Sequence, residues 1–305
     1  MADSEPLDRR RLIVDLVLLI VLASAWASAF MFIKLGLRTI PPMTLAAARV
    51  LVAAGLLYLL ARSRGERLPR TWADWREIGM VGSLTITFPV ALFTWGQQSI
   101  DTGMAAILVS TLSLWTLGFA FAFGIEDRLN PAKIAGIALG FSGVVLLVGP
   151  AALGGVGDHL VGQITVLLAP ACYGAGLVMA RRLPPGAAVV RSASVMIVAS
   201  ACLVPVALVL EAPWRLDPSG LSIFAAVYLG IVPTGIAMIL SFHLIATRGA
   251  TFTSLANYIT PGLAVILGAI FLGERITVEL MAAMAVILAG VAVAGFKTGS
   301  GKPRR

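Results

Sequence analysis

Apolar residues run through this chain in long blocks separated by short polar stretches. The blocks are Leu12–Ile33, Met43–Ala61, Ile78–Gln97, Gly103–Gly124, Ala132–Val148, Leu160–Ala180, Ser192–Leu210, Leu221–Ala246, Ala250–Leu272 and Leu280–Phe296. Each approaches the roughly 20 residues that carry an α-helix across the hydrocarbon layer, and none shows the alternation, in segments of about 10 residues, of a membrane β-barrel. The pattern predicts an all-α integral membrane protein of ten transmembrane helices. A cleaved leader competes for the first block, because Arg9–Arg11, an apolar stretch and Ala23-Ser24-Ala25 resemble a secretory signal.

The blocks repeat. Adding 147 to a number in the first half lands on a similar residue in the second: Trp26 on Tyr173, Lys34 on Arg181, Trp95 on Phe242, Ser110 on Asn257, Thr111 on Tyr258, Ser113 on Thr260, Arg128 on Arg275 and Gly143 on Gly290. The second block needs a shift of 143, which sets Pro41-Pro42 on Pro184-Pro185. Five spans per half, an odd number, force the halves into opposite orientations. Residues 1–149 and 160–296 are therefore expected as two inverted five-helix repeats, with 297–305 as a basic tail. Inverted repeats around a midplane site are the architecture of secondary transporters. Because Trp26 and Lys34 take part in the repeat, the first block belongs to the fold rather than to a leader.

Composition agrees. Of 305 residues 59% are hydrophobic and 12% charged, against about 25% charged in soluble domains. The net charge of +8 would raise nucleic-acid binding in a soluble protein. Here the cations are divided among short loops, and no nucleic-acid partner is expected. With the N-terminus inside, eighteen Lys and Arg fall on the cytoplasmic side and four (Lys34, Arg38, Arg215, Arg275) on the other, with Arg49 left within a span. The positive-inside rule places both termini in the cytoplasm.

The stretches Ala256-Asn257-Tyr258-Ile259-Thr260-Pro261, Phe271-Leu272-Gly273-Glu274-Arg275-Ile276 and Ala289-Gly290-Val291 resemble the second half of an EamA-type transporter of the drug/metabolite transporter superfamily. Phe123-Gly124-Ile125-Glu126-Asp127-Arg128-Leu129 is a looser copy in the first half. By overall likeness the chain is most similar to bacterial exporters of the aromatic amino acid/paraquat type. The resemblance implies a multi-pass protein of the bacterial cytoplasmic (inner) membrane that exports small molecules.

Candidate site residues follow from polarity at membrane depth. Trp26 with Tyr173, and Trp95 with Phe242, form pairs that suit aromatic lids over a central site, or a belt at the interface. Ser110 and Asn257 are expected to line the cavity, with Tyr258 beside them; the Asn257 amide needs several partners away from water. Arg49 either snorkels outward or attracts a carboxylate. His243 is a candidate titratable group or a packed helix-end residue. Pro89 and Pro233 predict kinks at equivalent places in the two halves. The small-residue patterns Gly136/Gly140 and Gly290/Ala294 predict close contact of the fifth and tenth helices, or a homodimer interface. Cys172 and Cys202 lie within spans and read as small packed residues.

The only acidic side chain in a span is Asp15, near the inner surface, so the mid-membrane carboxylate of proton-coupled pumps is missing. Gly301-Lys302-Pro303 is no phosphate-binding loop and there is no His-Glu-x-x-His motif, so neither ATP hydrolysis nor another enzyme activity is expected, and no cofactor. One cation in a span suits small zwitterions such as amino acids better than multiply charged phosphates. A multidrug or toxic-cation exporter of the same fold is the alternative.

Overall fold

The computed structural model describes residues 5–124, 131–153, 158–180 and 186–295. Expectations for Glu126, Asp127, Arg128, Arg181 and Pro184-Pro185 lie outside them. Ten helices follow in order: α1 Glu5–Gly36, α2 Pro42–Ser63, α3 Trp72–Gly96, α4 Thr102–Ala122, α5 Pro131–Leu153, α6 Asp158–Met179, α7 Ala188–Glu211, α8 Gly220–Arg248, α9 Ala256–Leu272 and α10 Val278–Gly295. Nine are long and apolar enough to cross a membrane, and α9 is a shorter apolar helix. The ninth block was expected to begin at Ala250. The chain there makes a single helical turn, Ala250–Thr253, and tightens before α9 starts.

The helices pack in a reciprocal pattern. The first helix of each half joins the other half: α1 lies against α8 and α9, and α6 lies against α3 and α4. At one end of the bundle α2 packs along α7, burying Val50, Ala53 and Leu57 with Ala193, Met196 and Ala199. At the other end α5 packs along α10, and α4 meets α9 between the two ends.

Small residues set the α5–α10 contact. A Cβ on Gly290 would fall on the Gly140 backbone, and one on Gly143 would lie 2.7 Å from Ile287 Cγ1 and 2.9 Å from its nitrogen. The glycine faces of both helices are thus spent inside the chain, where backbone contact replaces the missing hydrophobic drive between helices in lipid.

Carboxylates join the halves at helix starts. Glu211, ending α7, accepts hydrogen bonds from the Met43 and Thr44 backbone N–H (2.9 and 2.6 Å) and from the Thr44 hydroxyl (2.7 Å). Glu274, just after α9, accepts from Thr102 and Gly103 N–H (2.8 and 3.2 Å) at the start of α4. Each satisfies donors that the helix leaves unpaired and places negative charge on the positive end of its dipole. Arg248 of α8 bonds Asp15 of α1, so the one acidic residue in the first block is spent on an ion pair. Large apolar side chains such as Ile20, Leu59, Val209 and Ile270 face outward, as lipid requires. Cys202, expected to be packed, is among the exposed residues, and Cys172 is half-buried.

Two outcomes are expected in detergent melts. Gly290→Ala destabilises the fold by about 1–3 kcal/mol through overpacking, while Gly118→Ala, with nothing within 4 Å of the new Cβ, does not. Glu211→Ala lowers stability by about 1–2 kcal/mol by uncapping α2, and an unchanged melting temperature would contradict the capping role.

Candidate functional site

The helices around the centre of the bundle are not regular. In α3 the segment Ser83–Thr87, and in α8 the segment Gly230–Ile236, widen into π-turns with i→i+5 bonding. Their starts, Ser83 and Gly230, are 147 residues apart, the interval of the sequence repeat. Pro233 lies inside its wide turn and Pro89 opens the helix after the other, so the kinks expected at these prolines are local widenings. Pro233 has no N–H to give the Leu229 carbonyl; the Thr234 hydroxyl donates to it instead, at 2.7 Å.

A second matched pair of irregularities narrows α4 and α9. Ser110 and Thr111 N–H bond Ile107 and Leu108 carbonyls at 3.2 and 3.3 Å. Asn257 and Tyr258 N–H bond Ser254 and Leu255 carbonyls at 3.0 and 3.1 Å. Both members of each bond are again 147 apart. The local cause in α4 is visible: the Ser110 and Thr111 hydroxyls also donate to those carbonyls, 2.6 and 2.7 Å away, and compete with the helical ladder. Irregular backbone at membrane depth is stable only where protein or an aqueous cavity surrounds it. Wide turns in α3 and α8 and tight turns in α4 and α9 therefore mark the centre as the functional region.

Asn257 is half-buried and its side-chain amide makes no hydrogen bond among the described residues. On α9 it stands, at 100° per residue, between the arc of Ala256 and Thr260, which meets α1 at Ala23, and the arc of Val265, which meets α4 at Gly103. Tyr258 turns into the apolar cluster shared with α10. Trp26 is half-buried against the apolar cluster that holds Leu22, Ala237 and Ala256. Its repeat mate Tyr173 sits beside Gly174, where α6 crosses α4 at Trp115 and Thr116. Trp95 is 41% exposed, and His243 is also exposed.

Arg49 is 8% exposed and points inward. Its Nε donates to Thr234 Oγ1 at 2.7 Å, and its Cζ lies 5.4 Å from the centre of the Phe93 ring. Its Nη1 is buried with no partner. Among the described residues the ion pairs are Arg76–Glu77 and Arg248–Asp15, so no carboxylate faces this guanidinium. Gly230, at the wide turn of α8, presses on Val52 and on the Arg49 carbonyl, which fixes α2 against the bend.

Three residues here were missed in the sequence. Phe93 packs at the junction of three apolar clusters and against Phe30. Gln97, fully buried, donates to the Phe30 carbonyl at 2.7 Å. Thr234 links Arg49 to the wide turn. A threonine directly after a proline, with its mate Thr87 at the same interval, was the available signal for Thr234. No group of three or more His, Cys, Asp or Glu among the described residues is placed to hold a metal ion.

The profile of the EamA-like transporter family matches residues 15–149 and again 160–296. The chain is 27% identical to the uncharacterized inner membrane transporter YedA of Escherichia coli K12, over 88% of this chain and 86% of that protein. It is 25% identical to a probable terminal-alkyne amino-acid exporter of Streptantibioticus cattleyicolor, over 84% of each. A crystal structure with 24% identity superposes with a TM-score of 0.64, covering 92% of this chain and 96% of the other, and shows the same fold. With two matches that together take in most of its length, the chain belongs to the EamA-like transporter family and is a membrane transporter.

Proposed function

We propose that this protein is a secondary transporter that exports amino acids or related small metabolites across a bacterial cytoplasmic membrane by alternating access. The observation that carries this reading is the pairing of backbone irregularities at the repeat interval. Equivalent bends in α3 and α8 give each half its own place to flex, and rocking of two related halves about one site alternates access. The halves are residues 1–149 and 160–296 in opposite orientation, with both termini and the 297–305 tail in the cytoplasm. The excess of Lys and Arg on that side supports this orientation.

Ser110 and Asn257 supply polar recognition at the paired tight turns, and Trp26 and Tyr173 supply aromatic surface at equivalent positions. Trp95 and His243, both exposed, are assigned to the lipid interface and not to the site. The chain has no catalytic role in this scheme and works as a single bundle. The relative named as an amino-acid exporter supports amino acids as cargo. Export of lipophilic cations is the weaker reading, because the buried charge of Arg49 repels a cation.

In liposomes, labelled amino acids are expected to show saturable counterflow, reduced about tenfold or more by Asn257→Ala through loss of a buried polar contact, and reduced also by Trp26→Ala. Exchange of tetraphenylphosphonium with no amino-acid flux would overturn the assignment in favour of cation export.

A further inference from the structure

Among the described residues nothing neutralises the charge of Arg49. The hydroxyl of Thr234 and the face of Phe93 are neutral partners, and Nη1 has none. A guanidinium held in a low-dielectric interior is costly unless an anion pairs with it. The carboxylates that join the halves are already engaged: Glu211 with the start of α2, Glu274 with the start of α4, and Asp15 with Arg248.

The repeat isolates this cation further. At the shift of 143 that aligns the second spans, the mate of Arg49 is Ser192, whose hydroxyl bonds its own helix at the Ala188 carbonyl, 2.9 Å away. The mate of Thr234 is Thr87, whose buried hydroxyl has no partner. The wide turn of α8 is thus met by a guanidinium from the other half, whereas at the equivalent places of α3 and α7 stand only the hydroxyls of Thr87 and Ser192.

We propose that Arg49 is a carboxylate subsite, which makes the cargo a molecule bearing a single carboxylate that is always bound in the same orientation. This rests on the amino-acid reading above and narrows it. The planar fork of arginine pairs with a carboxylate through two parallel hydrogen bonds, and Nη1 is the donor left free for it. Phe93, stacked at the guanidinium and tilted against Phe30 at 6.5 Å between ring centres, offers apolar surface to the carbon skeleton next to the carboxylate. Among the described residues no second cation is buried beside Arg49, so a second negative charge goes uncompensated and dianions bind poorly. In this conformation Nη1 is sealed, so the carboxylate reaches it when the helices around Arg49 move at the wide turns. Because the same guanidinium holds Thr234, cargo binding acts directly on the bend of α8.

The test is counterflow in liposomes with the twenty labelled amino acids, each competed by its unlabelled acid and by the corresponding amide, which keeps the skeleton and loses the charge. For the wild type, amides are expected to compete about 10- to 100-fold less well than acids, the value of a charge-assisted bond. Arg49→Gln removes this preference, and Arg49→Lys, which keeps charge without the fork, restores part of it. Arg49→Met melts in detergent no lower than the wild type, since it removes an unpaired buried charge. Equal competition by acids and amides in the wild type overturns the subsite and leaves amino-acid transport standing. A lower melting temperature of Arg49→Met with the acid preference intact would make Arg49 a packing residue and also overturns it. No exchange of any amino acid overturns the transport reading, and the subsite with it.

Discussion

Within lipid no water is present to satisfy a free peptide N–H or C=O, and this constraint governs the whole molecule. Regular helices meet it locally, and their outward faces can be purely apolar. Every departure from regularity has to be compensated by the protein itself. The compensations are visible: Thr234 serves the carbonyl that Pro233 abandons, Ser110 and Thr111 serve the carbonyls at the narrowing of α4, and Glu211 and Glu274 serve the open ends of α2 and α4. The wide turns of α3 and α8 and the tight turns of α4 and α9 recur at one interval in both halves, so they are features of the unit that was repeated; the wide turn Gly268–Leu272 that ends α9 has no counterpart among the described residues of α4.

The same constraint explains where the halves hold and where they can move. Contacts at the ends of the bundle are close and nonpolar: α5 on α10 through glycine and alanine, and α2 on α7 through alanine, valine and leucine. Between them α1, α3, α4, α6, α8 and α9 cross from one half to the other, and four of these six carry a wide or a tight turn. A helix that already departs from the α ladder can change its bend at lower cost than a regular one, because hydroxyls beside the irregularity can exchange carbonyl partners. Bundle ends that are closely packed and a middle that is irregular suit a carrier with two exclusive openings.

The departure from symmetry is as informative as the symmetry. A protein built from two similar halves has similar backbones, yet the matched wide turns of α3 and α8 are chemically unequal: Arg49 bonds Thr234 in α8, while the buried Thr87 hydroxyl in α3 has no partner among the described residues. The halves are alike in how they bend and unlike in what they present at the bend.

Much of this was written in the sequence. Hydropathy over about 20 residues is a local property, so the ten spans and their approximate limits could be read directly. The interval of 147 was also legible, because equivalent positions meet equivalent surroundings. Pro89 and Pro233 announced the bends without revealing their form. What no local pattern could supply was the facing of side chains beyond an irregularity. A wide turn adds about one residue to a turn and rotates everything after it by about 100°, so the face presented by α3 after Thr87 cannot be projected from the residues before it. Trp95 is exposed, while Phe93, two residues earlier, lies against the Arg49 guanidinium. Arg49 is the same case across helices: its span was evident, but whether it reached for the surface or the interior depended on α8 lying against α2 at Gly230. The sequence by itself determined the membrane, the helices and the repeat, since these rest on composition and spacing. Only the tertiary structure decided which polar groups meet, because that depends on how irregular helices are rotated against one another.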